Sequence, residues 1–280
     1  MRPIRHMLAG LIALGGLIAA PAQAETFHTC GTIINTIPTV ITTEGLYCLT
    51  HDISTAITGG SAIDVQANNV TIDCNGFKLG GLAAGTGSQA NGINAGTSRQ
   101  NITIRNCGIR GFYFGIYLGG GAGHLVEDNR LDKNLFIGIS VAGDNNRVQR
   151  NRVYDTGGAP GSIQNRGINA AADVIDNTVA GVFASTTDSF ATGIFMTGTA
   201  TEARGNQVRG LVATGSGSAD GIFALYVDDV TIRNNAIAAT AAGNGSGVVG
   251  NGTTYCTGNT ISKFNTPMLN CLDIGGNGSN

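Results

Sequence analysis

Four carboxylates, Asp188 and Asp220 in glycine-, serine- and threonine-rich loops and Asp228 and Asp229 ahead of an apolar segment, are the residues of this chain whose type and setting suit acid–base chemistry. Hydrolysis of a glycosidic bond needs two positioned carboxyl groups, and eliminative cleavage needs a base together with a cation or metal that acidifies the sugar carbon. Asp228-Asp229 is an adjacent acid pair directly before Val230-Thr231-Ile232. Asn69 and Asn101 hold the matching place elsewhere, so a turn role competes with a catalytic one. His28, His51 and His124 are too dispersed for a triad or a metal site, and His124 reads as a solvated turn residue. No His-Glu-x-x-His, Gly-x-Ser-x-Gly or phosphate-cradling loop occurs, so neither a metal nor a cofactor is expected.

The elements that would position these side chains follow from an internal repeat. One template, apolar, two variable residues, Asn, one variable residue, apolar, recurs at Ile72 to Phe77, Val126 to Leu131, Val148 to Val153, Val174 to Val179 and Ile232 to Ile237, with looser copies at Ala203 to Val208 and Cys256 to Ile261. At Ile104 to Ile109 the register holds, with Cys107 in place of Asn. A second marker precedes the first: Gly92-Ile93, Gly115-Ile116, Gly138-Ile139, Gly167-Ile168, Gly193-Ile194, Gly221-Ile222 and Gly247-Val248. Each opens a short alternating strand, as in Gly115-Ile116-Tyr117-Leu118.

Each repeat of 22 to 32 residues therefore carries three short strands. Stacking such repeats predicts an all-β, single-stranded right-handed parallel β-helix of about eight three-strand coils around an aliphatic core. Asn75, Asn129, Asn151, Asn177, Asn206, Asn235 and Asn259 should then form one file at a sharp bend, where Asn tolerates left-handed backbone angles and its amide bonds along the stack. Charges fall into columns as well: Asp73, Arg105, Glu127 and Gln149 in one, Asp128, Arg150 and Asp176 in another, in the pattern of cross-strand ion pairs.

The organisation expected is a secretory signal over 1–24, an N-terminal cap over 25–59, the β-helix over 60–262 and a C-terminal cap with a frayed tail over 263–280. Arg2 and Arg5, the apolar stretch Leu8 to Ala20 and Ala22-Gln23-Ala24 carry the signal reading, which makes the protein secreted or periplasmic. No later run is long and apolar enough to suggest a membrane span. A formal net charge of -2 with 12% charged residues leaves no basic footprint for nucleic acid. Cys30, Cys48, Cys74, Cys107, Cys256 and Cys271 are even in number, as a disulfide framework requires after export. Spacing does not fix their connectivity, although each sequential pair would close a loop of modest length.

These turns resemble the parallel β-helix repeats of the pectin-lyase-like superfamily over roughly residues 60 to 265. That superfamily holds polysaccharide lyases, glycoside hydrolases, sugar epimerases, phage tailspikes and secreted β-helices without assigned activity. The resemblance implies a ligand lying along the first strand face, between long loops. The outward residues after each marker Ile are Asp64, Asn94, Tyr117, Ser140, Asn169, Phe195, Phe223 and Val249, only one of them charged. A glycine column beside Tyr117, Phe195 and Phe223 is expected to form a shallow strip for stacked sugar rings, with Asn94 and Asn169 as polar contacts. The Asn-Thr-Asp, Gly-His-Gly and Arg-x-Lys companions of a polygalacturonase Asp-Asp are absent. So are a pectate-lyase-like calcium cluster and the Tyr-Gly-x-Asp-Pro-His signature of alginate epimerases, and the chain has no Trp.

The resulting expectation is a glycan or cell-envelope polysaccharide binder without a recognisable catalytic constellation. Its rivals are a lyase or hydrolase drawing on the four acids, and an adhesin or scaffold that presents its aromatics to a protein. Nothing in the sequence sets the oligomeric state.

Overall fold

The structure, a computed structural model, describes residues 30–96, 98–240 and 244–280. The expected signal over 1–24 and His28 lie outside the described residues. Alternating β-branched segments separated by Gly, Asn and Asp turns fold into three files of parallel strands that wind as a right-handed β-helix of about 8 turns. The first file runs from Thr39–Ile41 through Ser61–Val65, Asn91–Ala95, Phe114–Leu118, Ile137–Val141, Gln164–Ala170, Phe190–Met196 and Ala219–Phe223. The second, from Gly45–Cys48 to Thr231–Arg233, joins the first in one sheet through the long strand Ser246–Thr257. The third, from Ile53–Ser54 to Gly278–Ser279, forms a separate 10-stranded sheet.

Side chains from all three files meet inside. Ile63, Ile93, Ile116, Ile139, Ile168, Ile194 and Ile222 stack in the first file, facing Leu79, Ile109, Leu131, Val153, Val179, Val208 and Ile237 of the third, all essentially buried. Burying each contributes about 2 kcal/mol, and because the contribution repeats coil by coil, register is held along the whole stack.

The marker glycines belong to this interior. A Cβ on Gly193 would stand 2.3 Å from Val208 Cγ1 and 2.7 Å from the Gly221 carbonyl oxygen, and one on Gly167 2.4 Å from Val179 Cγ1. The glycine column is therefore a close approach of the first file to the third and does not floor an outer strip, which corrects the sequence reading. Two outward residues flank each of these Gly positions, one before it and one after the following Ile.

At the bend between the second and third files, Asn129, Asn151, Asn177, Asn206, Asn235 and Asn259 form a buried amide ladder that continues to Asn277. From Asn151 upward each Oδ1 accepts from the backbone N–H and the amide of the Asn below: Asn151 N and Nδ2 lie 2.9 and 3.0 Å from Asn177 Oδ1. Each Nδ2 also donates to a carbonyl of an earlier coil, as Asn177 does to Val148 at 2.9 Å. The left-handed angle falls one residue earlier, on Asp128, Arg150, Asp176, Gly205, Asn234 and Gly258. Expecting one Asn to supply both functions was thus incorrect for these six. Asn75 also leaves the expected file. Two extra residues lengthen its bend, it adopts φ 51° and donates to Leu49 O at 3.0 Å, and Cys107 N meets Asn129 in its place.

A second ladder at the bend between the first and second files contains His124. It is 2% exposed, not solvated as the sequence suggested. Its Nδ1 accepts from Ile102 N and its own backbone N–H donates to Asn146 Oδ1 at 2.9 Å, which leaves Nε2–H to donate to Gly120 O at 2.8 Å.

Disulfides join Cys30–Cys48, Cys74–Cys107 and Cys256–Cys271, the sequential pairs. The charge columns form ion pairs, Arg105 with Asp73 at 2.8 Å and Arg150 with Glu127 and Asp128 at 2.6 and 2.8 Å. Residues 263–280 continue the coil. Thr266–Asp273 pairs with Ser246–Thr257, Thr260 aligns with Gly278, and Lys263 N donates to Asn280 O. The tail expected to fray is thus held in the third file.

Candidate functional site

The first file turns two outward columns to solvent. One aligns Asp64, Asn94, Tyr117, Ser140, Asn169, Phe195, Phe223 and Val249 as adjacent strand partners, the column read from the sequence. Beside it stand the residues that precede the marker glycines, from Asn91 through Phe114, Ile137, Arg166, Thr192 and Asp220 to Ser246. The sequence reading followed the first column alone and so missed the second. A charge at Arg166, immediately before Gly167-Ile168 on a face with few charges, was the available signal.

Where the columns run together, Gln164, Arg166, Phe190, Thr192, Phe195, Ser218, Asp220, Phe223 and Tyr226 line a cavity of about 180 Å³. Phe195 and Phe223 stack with centroids 5.1 Å apart and planes 9° from parallel, because parallel pairing of adjacent coils places like residues one strand spacing apart. Tyr226 sits in the turn after the Phe223 strand, its ring centroid 5.7 Å from Phe223, and is 76% exposed. It lines the same opening.

Arg166 lies with its guanidinium carbon 3.8 Å from the Phe195 ring centroid, a cation–π contact worth about 1–2 kcal/mol. Nη1 donates to Asn169 Oδ1 at 2.9 Å and Nη2 to Gln164 Oε1 at 2.8 Å. Both acceptors are neutral. Burial lowers its pKa, and the ionisable side chain acting on it is the Tyr226 phenol, with no carboxylate in ion-pair reach among the described residues. The guanidinium keeps its charge at neutral pH and therefore stands uncompensated.

Asp220 is 6% exposed, two strand steps from Arg166, or about 10 Å along the column. Burial pushes its pKa up, against the hydrogen bonds it accepts from Ser218 Oγ at 2.6 Å and Ser246 N at 2.9 Å. The other candidate acids are elsewhere. Asp188 caps a turn, accepting from Ser216 N at 2.7 Å, which lowers its pKa. Asp228 accepts from Asn251 Nδ2 at 2.7 Å on the far bend, and Asp229 takes the left-handed turn position there with φ 56°. The cavity thus holds one carboxylate, Asp220.

Of the proposed contact residues, the structure brings Phe195, Phe223 and, through Arg166, Asn169 together. Tyr117 joins a separate cluster lower on the face, and Asn94 donates to Asp64 at 2.5 Å below that. A larger open hollow of about 1080 Å³ lies over the first bend, where the two-residue turn Ala171-Ala172 is recessed beside residues 143–147 and 197–201. Glycine, alanine and short polar residues make up most of its lining, with His124, Leu125 and Arg147 beside them, and no Phe or Tyr lines it, so it lacks the aromatic platform of the smaller cavity. Among the described residues no group of His, Cys, Asp and Glu could hold a metal ion.

Residues 46–191, just over half of the chain, match the family described as "Right handed beta helix region". No curated protein matches. Among solved structures, the chain is similar to the Dettilon tailspike protein at 16% identity and TM-score 0.49, covering 89% of this chain and 58% of that one. It is also similar to the A-module of a mannuronan C-5 epimerase from Azotobacter vinelandii, at 13% identity and TM-score 0.42 with 84% and 80% covered. A GH87 alpha-1,3-glucanase catalytic domain in complex with nigerose follows at 12% identity and TM-score 0.40, with 82% and 58% covered. The chain spans 58% of the length of both the tailspike and the glucanase domain.

Proposed function

The chain belongs to the right-handed β-helix family, and from that premise we propose that it binds an anionic polysaccharide, one carrying carboxylate or sulfate groups, on its first strand face. One observation carries the proposal: a charged guanidinium without an acidic partner, held flat against Phe195 at the edge of an aromatic platform. The edges of the stacked Phe195 and Phe223 rings and the exposed ring of Tyr226 offer apolar surface to a sugar, while Arg166 offers N–H donors to an anion on the same sugar. Thr192, Ser218 and Gln164 line the rim with hydroxyl and amide groups suited to sugar hydroxyls.

Binding is favoured over glycoside hydrolysis because Asp220 has no second carboxylate across the cavity, and Asp188, Asp228 and Asp229 do not converge on it. The three disulfides fit an oxidising compartment outside the cytosol. Among the described residues no helix is long and apolar enough to cross a membrane.

Calorimetric titration of wild-type protein and Arg166→Gln with uronate, sulfated and neutral polysaccharides tests the reading. The wild type is expected to bind anionic chains in preference to neutral ones. Gln keeps polar contacts but removes the charge, so affinity should fall by about 1.5–3 kcal/mol, roughly 10- to 150-fold. Equal affinity for neutral glycans, or an Arg166→Gln protein that binds as the wild type does, would refute it.

A further inference from the structure

Three strand steps below Phe195, the same outward column carries a second aromatic group that the cavity does not use. Tyr113 and Phe136 stack with centroids 4.7 Å apart, Phe114 lies 4.9 Å from Tyr117 and 5.5 Å edge-on from Phe136, and all four rings are half-buried at the surface of the first face. Tyr117, Ser140, Asn169 and Phe195 are successive strand partners, so the two aromatic groups stand about 14 Å apart along the axis.

What separates them is low and polar. Ser140 is buried, Asn169 donates to Ser140 Oγ at 3.2 Å, and Ile137 beside them is buried flush with the sheet. No bulky side chain rises in either column between the clusters except Arg166, which lies flat against Phe195 and binds Asn169. The first face is therefore a shallow trough with an aromatic group at each end, short hydrogen-bonding side chains on its floor, and an uncompensated cation on one wall.

We infer that Tyr113, Phe114, Tyr117 and Phe136 form a second sugar subsite, reached by the same polymer whose acidic group meets Arg166 one strand step below Phe195. This rests on the glycan reading of the Arg166 site and adds to it a minimum length and a second set of contacts. Two aromatic subsites linked by one chain behave as a bivalent site. A ligand too short to span gains one contact set, and one long enough gains both at high effective concentration.

The test is titration of the whole protein with size-fractionated oligogalacturonates, from disaccharide to decasaccharide, for wild type, Tyr117→Ser and Phe136→Ala. Tyr117→Ser copies the residue that Ser140 places in the next coil, so it is compatible with the fold, and circular dichroism verifies both variants. Wild-type affinity should rise about 100-fold once the oligomer spans both groups. Both variants should keep wild-type affinity for the shortest oligomers that bind and lose the rise with length. Affinity independent of length, or variants that weaken short and long oligomers alike or neither, would overturn the inference while leaving the Arg166 site standing. Failure of every oligomer to bind the wild type would remove both.

Discussion

Replacing Asn177 by Ala should destabilise the protein far more than replacing Asn75, although both residues occupy the same repeat position in the sequence. Asn177 is 1% exposed, and its Oδ1 is the acceptor for both the backbone N–H and one amide hydrogen of Asn151. With Ala at 177 those two donors are left inside the bend without an acceptor. Each unsatisfied buried group costs about 1–3 kcal/mol, so the loss should be about 2–6 kcal/mol before the Val148 carbonyl is considered. Asn75 lies at the surface with φ 51°; its side chain makes one bond, to Leu49 O, and its backbone N–H, which Gly would keep, donates to Asp73 Oδ1. Asn75→Gly keeps the left-handed backbone at no steric cost and lets water take the carbonyl, so about 0–1 kcal/mol is expected. Urea unfolding with disulfides intact, followed by far-ultraviolet dichroism and tyrosine fluorescence together, measures both values and shows whether the transition is two-state. An Asn177→Ala protein within about 1 kcal/mol of wild type, or no more affected than Asn75→Gly, would refute the ladder as a source of stability.

Two other outcomes follow from the interior. Gly193→Ala forces a Cβ to 2.3 Å from Val208 Cγ1 and 2.7 Å from Gly221 O, so overpacking should cost about 1–3 kcal/mol or more and disturb Phe195 two residues on, whereas Gly87→Ala, with open space around it, should be neutral in the same melting assay. His124→Asn should abolish an acid sensitivity: burial lowers the His124 pKa in the folded state, so the unfolded chain binds the proton more readily and wild-type stability falls as pH drops below about 6.5, by up to about 1.4 kcal/mol per unit, while the Asn protein, matching Asn146 in the next coil, lacks that component. Melting temperatures of the two proteins compared at neutral pH and at pH 5 decide it, and parallel profiles would exclude His124 as the source.

The architecture was legible in the chain because a parallel solenoid repeats its contacts. When coil follows coil in register, every column samples the same environment, and the sequence records it as Gly-Ile pairs, Asn spacings and alternating charges. The outward column from Asp64 to Val249 could be read residue by residue for that reason. What each column does was less legible. The glycines mark interior crowding that appears only when the third file is brought across the core. Ladder bonding and left-handed angles, assigned to one Asn, fall on neighbouring residues because a bend divides backbone and side-chain tasks. His124 looks like a turn residue until Asn146 and Ile102 are stacked around it.

The candidate site lay beyond the pattern altogether. Arg166, Phe195, Phe223 and Tyr226 come from three coils and a turn, tens of residues apart in the chain, and no repeat relates an Arg before one glycine to a Tyr three residues after a later Phe. Periodicity determined which residues face outward and in what order, since that depends on strand alternation alone. Only the tertiary structure decided which of them touch and which charge is left without a partner, because lateral packing between unlike side chains on neighbouring coils is set by distances that no repeat encodes.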